Sequence, residues 1–472
     1  MQNKKNVLQE IVEYKKTEIQ KRKANLSLEQ ITAQVEPSVR SLKSVLLQPG
    51  NRFILEYKTA SPSKGVIRES FTADDCIKAY TASADAYSVL TDEKYFGGSH
   101  KRLQYISTHD NKPVLCKDFF IDPYQVFEAR CYGADAILLM LSVLSDSEYK
   151  ELAAIAKCLN LDVLTEAHTV EECERAVTLG ADIIGINNRD LRDLSINLEQ
   201  TKLLSALIPD DRVVISESGI NSRSDVSYLA PYVNGFLIGS SLMSADNVKA
   251  AAIDMVYGAV KICGVRSKDI AEHSINAGAR YLGLMFYPKS KRNVTVDDAE
   301  TLVKAIPGDY VGVFVNEVSS KIVDVASRLN LSVVQLHGDE TLEQAQAIKE
   351  QLSGNIKVWK ALSLSTNDNH HIINQWLNVV DKIVLDYQTR FSKGGNGKSF
   401  DWSVLPSFFE TIDPERIVIA GGIMPDNVSE LLEFHKVTLD LSSGVERLKG
   451  EKDKQLISAL FEQCRQNGVK AA

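Results

Sequence analysis

Residues Phe53–Gly65 read FILEYKTASPSKG, an apolar run of strand type that ends in a charged pair and a loop. Alternate residues of a strand share a face, so Glu56 and Lys58 project together. Ser61-Pro62-Ser63-Lys64-Gly65 then breaks the strand, with Pro and Gly as punctuation and hydroxyls, Ser61 first, free to hydrogen-bond an anion. Alone, Glu-x-Lys reads as a partly solvated ion pair before a turn. The rest of the chain overturns that reading.

Seven further runs of the same kind follow: Ala86–Asp92, Pro113–Asp118, Ala136–Leu141, Asp162–Ala167, Ile183–Asn188, Val213–Ser218 and Gly235–Ser240. Helical patterns separate them, among them Asp122–Tyr132, Ser147–Leu159 and Val170–Leu179, the last closed by Gly180, a residue type favoured just past a helix end. Then the count restarts with Ala259–Val265, Tyr281–Tyr287, Tyr310–Asn316, Val333–Gly338, Lys357–Leu362, Lys382–Tyr387, Arg416–Gly422 and Thr438–Gly444. Strict βα alternation implies parallel sheets with helices outside. Eight units in roughly 200 residues is the size of a (β/α)8 barrel, whereas a doubly wound open sheet usually has fewer strands. The predicted fold class is α/β: two consecutive (β/α)8 (TIM) barrels, the first with an N-terminal helical extension in residues 1–50. No Pro-, Gly- or Ser-rich linker intervenes, and Asn247–Tyr257 runs almost directly into Lys261-Ile262-Cys263. The expected domains are 1–257 and 258–472.

Composition narrows the function classes. The chain has 472 residues, 44% hydrophobic and 25% charged, with net charge −8 from 54 basic and 62 acidic residues. No basic run stands out, so no nucleic-acid partner is expected, and local groups must hold any anionic ligand. Seven cysteines are scattered without a C-x-x-C, which reads as reduced thiols, a cytoplasmic location and no metal site. The N-terminus mixes charge into an apolar helical pattern (Val7, Leu8, Ile11, Val12, Ile19), unlike a signal peptide. The longest apolar runs fall far short of the roughly 20 residues of a membrane span, so no membrane partner is expected.

Barrels often bind phosphate at the loops after strands seven and eight. Those places read Ser216-Glu217-Ser218-Gly219 and Gly239-Ser240-Ser241 in the first half, and Ala420-Gly421-Gly422-Ile423 and Ser442-Ser443-Gly444 in the second. Glycines admit backbone N–H groups to the oxygens and serines add donors. One such match is weak; four matching placements predict two sites for phosphorylated sugars. In the first half, Lys117, Glu166, Asn187, Arg189 and Glu217 also end strands. With Glu56 and Lys58 they gather two lysines and three carboxylates at one mouth, a group suited to general acid–base work. In the second half Cys263 ends strand one and Asp386 strand six, and the loop Gly394-Gly395-Asn396-Gly397 leads into Lys398-Ser399-Phe400-Asp401-Trp402. A thiol serves as a base only where its pKa is adjusted at an accessible site.

The pieces ILEYKTASPSKG, LTDEKYFGGS, PVLCKDFF, LTEAHT, IGINNRDL, SESGI and LIGSSLM, in order over 50–245, resemble indole-3-glycerol-phosphate synthase. That resemblance implies decarboxylation and dehydration closing the indole ring of 1-(o-carboxyphenylamino)-1-deoxyribulose 5-phosphate. It implies Lys117 as general acid at the ketose carbonyl and Glu166 as partner acid/base. Glu56, Lys58, Asn187 and Glu217 would bind and orient the intermediate, with Arg189 and Ser218 contributing. Lys58 either contacts the substrate carboxylate or shares proton transfer. The pieces KICGV, MFYPKSKR, VGVFVN, VQLHGDE, VLD, GGNGKSFDW, AGGI and DLSSGVE, over 259–450, are similar to phosphoribosylanthranilate isomerase. The implied reaction is the Amadori rearrangement of N-(5-phosphoribosyl)anthranilate, without a cofactor. Asp386 would protonate the ribose ring oxygen, Cys263 would remove the C2 proton, and Arg292 would hold the anthranilate carboxylate, which suits a planar guanidinium. Asn396 departs from the Ser or Thr expected there. His337 stands as either a substrate contact or a satisfied core histidine.

The isomerase's product is the synthase's substrate, so the two halves imply consecutive steps of tryptophan biosynthesis, carried out by a monomer on small-molecule phosphosugar–anthranilate substrates. Two alternatives are weaker. A regulatory protein of two inactive barrels would lack acids and bases, yet Lys117, Glu166, Cys263 and Asp386 are all present. A histidine-pathway-type phosphosugar isomerase would carry aspartates at strands one and five or six, where this chain has Glu56/Lys58 or Cys263 at strand one.

Overall fold

The computed structural model describes residues 7–62, 65–190, 194–363, 370–386 and 401–466. All sixteen predicted runs are strands. In the first barrel they are β1 (Arg52–Tyr57), β2 (Ala86–Leu90), β3 (Val114–Lys117), β4 (Ala136–Met140), β5 (Asp162–Ala167), β6 (Ile183–Asn187), β7 (Val213–Glu217) and β8 (Gly235–Ile238). Each pairs in parallel with its sequence neighbour, and β1 closes on β8 with Leu55 opposite Ile238. The second barrel repeats the order with β9 (Ala259–Cys263), β10 (Tyr281–Met285), β11 (Tyr310–Phe314), β12 (Val333–Leu336), β13 (Lys357–Ser363), β14 (Lys382–Asp386), β15 (Ile417–Ala420) and β16 (Thr438–Leu441). Chain contacts divide the described residues into compact units over 7–252 and 253–465. Helix Val248–Tyr257 ends at Gly258, whose φ of 78° terminates it one residue before β9.

Helix starts follow from local chemistry. Asp122 caps Pro123–Cys131, Ser145 closes a capping box over Asp146–Cys158, and Thr169 caps Val170–Thr178. Gly180 follows this last helix with φ 77°. The expected loop after β1 is tighter than predicted: Ala60–Ser61 pairs antiparallel with Gly65–Val66 as a small hairpin. Inside the first barrel, Ile54, Leu115, Leu138, Leu164, Ile215 and Leu237 form one apolar cluster, to which helix Leu42–Leu46 adds Leu42 and Leu46. In the second, Val311, Val333, Trp359, Val384 and Val418 pack together.

The N-terminal extension differs from the polar amphipathic helix expected. Helix α1 (Val7–Asn25) buries Ile11 and Ile19, but also Lys15, which is 0% exposed. The Lys15 ammonium lies 2.8 Å from each of Glu18, Asp92 and Asp118. Burial opposes its charge, but Asp118 and Asp92 outweigh that and hold the ammonium above its usual pKa. Arg22 extends the network to Glu128 at 2.9 Å. Breaking one member of a buried ion cluster strands the others. Lys15→Met is therefore expected to cost roughly 3–5 kcal/mol and to loosen α1 first. Urea unfolding and limited proteolysis within Val7–Asn25 check this; protease resistance equal to wild type would contradict it.

Candidate active sites

In the first barrel the strand ends converge on one cleft. Glu56, Lys58, Ser61, Lys117, Glu166, Asn187, Arg189, Ser218, Gly219, Gly239 and Ser240 all line it. Glu217 does not; it lies wholly buried and receives the Lys117 ammonium at 2.7 Å. Lys58 pairs with Glu56 at 2.6 Å, and Lys117 stands 3.6 Å from the other Glu56 oxygen. Two glycines make this packing possible. A Cβ on Gly239 would meet Glu56 Oε1 at 2.5 Å, and one on Gly185 would collide with Glu217 Oε1.

The charges set each other's protonation. Burial lowers the Lys117 pKa, but Glu217, Glu56 and Glu166 more than offset it, leaving a firmly charged ammonium. Burial would likewise neutralise Glu56, yet Lys58 and Lys117 hold it below the usual carboxylate range. Glu166 goes the other way: burial, then the Glu217 charge, raise it to about 7, against the pull of Lys117 and an Asn187 hydrogen bond. Asn187 Oδ1 also accepts the Arg189 backbone N–H at 3.0 Å. A carboxyl poised near neutrality beside a fixed cation can give or take a proton.

That poise carries a stability cost with a definite sign. The folded state binds the Glu166 proton more tightly than the unfolded chain, so stability falls as pH rises from about 4.3 to about 7 and is level above. Glu166→Gln, neutral throughout, is expected to raise stability by roughly 2 kcal/mol near pH 8 and by almost nothing near pH 4. Urea titrations at both pH values check it; an equal gain at both would remove the ionisation argument.

The floor after β7 bends through Ser218 and Gly219, with φ 65° and 79°, and a short helix (Ser240–Met243) opens after β8. The sequence did not point to the apolar rim, where Val7, Leu8 and Ile11 of α1 join Phe96, Phe119 and Ile196 around the cleft. Only the spacing of Val7, Leu8 and Ile11 marked one helix face, without saying what it covered.

In the second barrel, Cys263, Asp386 and Arg292 are 6%, 4% and 6% exposed. Arg292 lies across the end of β9, where a Cβ on Gly264 (φ 83°) would meet its Cδ at 2.7 Å. Its guanidinium grips Glu446 through Nε at 2.7 Å and Nη2 at 2.8 Å, and Lys452 shares Glu446 at 2.6 Å. His337 stands 3.4 Å from Asp386 Oδ2 through Nε2 and 3.0 Å from Gln335 Nε2 through Nδ1. Burial, with Asp440, pushes the Cys263 thiol above its usual pKa, and Lys261 and Lys452 offset only part of that rise. Gly421 and Gly422 turn with φ 87° and 71° after β15. Ser442 donates from Oγ to the Cys263 carbonyl at 3.3 Å, and a 3-10 turn starts at Ser443. Gly395, with the rest of its loop through Phe400, lies outside the described residues.

Comparison with known proteins divides the chain in the same way. The family described as indole-3-glycerol phosphate synthase matches residues 8–255, and that described as N-(5'phosphoribosyl)anthranilate (PRA) isomerase matches 260–463. "Tryptophan biosynthesis protein TrpCF" of Salmonella typhi is 43% identical over 97% of this chain and 99% of its own. Its namesake in Vibrio cholerae is 43% identical over 97% and 96%. Among solved structures, phosphoribosyl anthranilate isomerase from Thermotoga maritima is 36% identical, covering 44% of this chain and 98% of its own, with TM-score 0.39.

Proposed function

The chain belongs to the TrpCF family of tryptophan biosynthesis proteins, bifunctional enzymes with a synthase and an isomerase barrel, and from that premise we propose how its residues divide the work. The C-terminal barrel isomerises N-(5-phosphoribosyl)anthranilate to 1-(o-carboxyphenylamino)-1-deoxyribulose 5-phosphate. The N-terminal barrel decarboxylates and cyclises that product to indole-3-glycerol phosphate.

In the synthase mouth, Lys117 donates to the ketose oxygen and Glu166 exchanges the dehydration proton. The observation that carries this reading is the convergence of Lys117 and Glu166 on one cleft, with the Lys117 ammonium held 2.7 Å from Glu217. Glu217 acts from beneath by anchoring Lys117. Glu56 and Lys58 orient the substrate, with Ser61, Asn187, Arg189 and Ser218, while Gly219, Gly239 and Ser240 receive its phosphate. The apolar rim suits an aromatic ring. In the isomerase mouth, Asp386 protonates the ring oxygen and Cys263 takes the C2 proton. Gly421, Gly422, Ser442 and Ser443 receive the phosphate, joined in this reading by Gly395. A substrate carboxylate must meet Arg292 beside Glu446 or displace it. The domain join falls between the end of the synthase barrel and β9, and each mouth is furnished by one barrel, which favours a monomer. A cytoplasmic location fits seven free cysteines and the lack, among the described residues, of a helix long and apolar enough to cross a membrane.

Fluorescence assays of the full chain, given each half-reaction's substrate in turn, test the two-site reading. Turnover of both is expected; a chain that turns over only one contradicts it.

A further inference from the structure

From Lys261 to Asp386 the interior of the second barrel carries a line of polar side chains. Lys261, two residues before Cys263 and on the same face of β9, is 0% exposed. Its ammonium reaches Asp440 Oδ2 at 2.7 Å, donates to Gln335 Oε1 at 3.0 Å and acts on the Cys263 thiol through its charge. Gln335 Nε2 faces His337 Nδ1 at 3.0 Å, and His337 Nε2 faces Asp386 Oδ2 at 3.4 Å. Gly283 leaves the room: a Cβ there would sit 2.8 Å from Cys263 Sγ and 3.1 Å from Lys261 Cε.

Donor chemistry fixes the direction of this line. An ammonium has no acceptor, so the Gln335 amide must turn its oxygen to Lys261 and its nitrogen to His337. That nitrogen only donates, so His337 Nδ1 accepts and the neutral ring carries its proton on Nε2, toward Asp386. A carboxamide does not pass protons on, so the line orients groups rather than conducting between them. A Lys–Asp pair buried this deeply is poor value for stability alone, since well-packed apolar residues often do as well.

We propose that Lys261 is the positioning residue of the isomerase mouth: through Gln335 it fixes His337 as an Nε2–H donor to Asp386, and by its own charge it readies Cys263 to lose its proton. The proposal rests on the reading of Cys263 and Asp386 as base and acid. Other charges face the thiol and bound the effect. Asp440 lies behind Lys261 and opposes it, while Lys452 and Arg292 stand at the rim and are both paired with Glu446.

The test measures the pH dependence of isomerase kcat/KM in the full chain, with the thiolate absorbance of Cys263 read as the difference from Cys263→Ala. Lys261→Met strands Asp440, so the charge-neutral pair Lys261→Met/Asp440→Asn is made beside it. Both are expected to shift the thiol titration and the rising limb upward by about one pH unit. At neutral pH, kcat then falls about tenfold with KM within about threefold. Near-ultraviolet circular dichroism and urea unfolding, compared with wild type, report that the second barrel is folded. Gln335→Met cuts the line but keeps the charge; it is expected to lower kcat about tenfold while leaving the thiol titration in place. An unmoved titration in folded Lys261 variants, or an unchanged kcat in Gln335→Met, overturns the proposal. Retained isomerase activity in Asp386→Asn or Cys263→Ala would instead overturn the base-and-acid reading beneath it.

Discussion

Lys117→Ala is expected to lower kcat/KM for indole-3-glycerol phosphate formation by roughly a thousandfold, the range of a lost general acid, while the isomerase reaction keeps its wild-type rate. The ammonium is gripped by Glu217 at 2.7 Å and stands 3.6 Å from Glu56, so it gives up its proton reluctantly. A group held that tightly polarises a carbonyl well, but surrenders its proton only when a neighbouring negative charge is removed. Glu166 is the neighbour able to do this, because it titrates near 7. The two groups therefore work as a coupled pair. The variant also strands Glu217, which is 0% exposed, without a counter-charge. Leaving one member of a buried ion pair unpaired adds a stability cost to the variant. Ring closure persisting within about tenfold of wild type would remove Lys117 from the chemistry. Activity lost in both barrels would point to a folding failure.

The two-barrel architecture was legible because it rests on local signals repeated sixteen times. Each strand is a short apolar run, and helix starts such as Ser145 and Thr169 carry their own caps. Strand ends were legible for the same reason, since a barrel sends the residue after each apolar run to one rim. What could not be read was contact across the barrel. Lys15 looked like one more surface charge on a polar helix, because its partners Asp92 and Asp118 are far along the chain. Glu217 looked like a substrate contact, and only the fold puts it beneath Lys117. Gln335 carried no signal, although Val333, Gln335 and His337 alternate onto one strand face. Its meaning depends on Lys261, 74 residues earlier. Pairing at that range is set by topology.

Cys263→Ala is expected to mirror the first result, lowering isomerase kcat by roughly a thousandfold while ring closure proceeds at the wild-type rate. Alanine removes one sulfur from a site already buried beside Val313 and Trp359, so a stability cost of only about 1 kcal/mol is expected and folding should survive. Cys263→Ser is the sharper variant because it keeps shape and hydrogen bonding while replacing a thiol by a far weaker acid. Were Cys263 a packing residue, serine would retain most of the rate. Were it the base, serine should be nearly as inactive as alanine, since Lys261 can stabilise a thiolate but cannot bring a hydroxyl into the neutral range. Stopped-flow loss of N-(5-phosphoribosyl)anthranilate fluorescence distinguishes the two. A serine variant within about tenfold of wild type would reassign proton removal to another group of the same mouth.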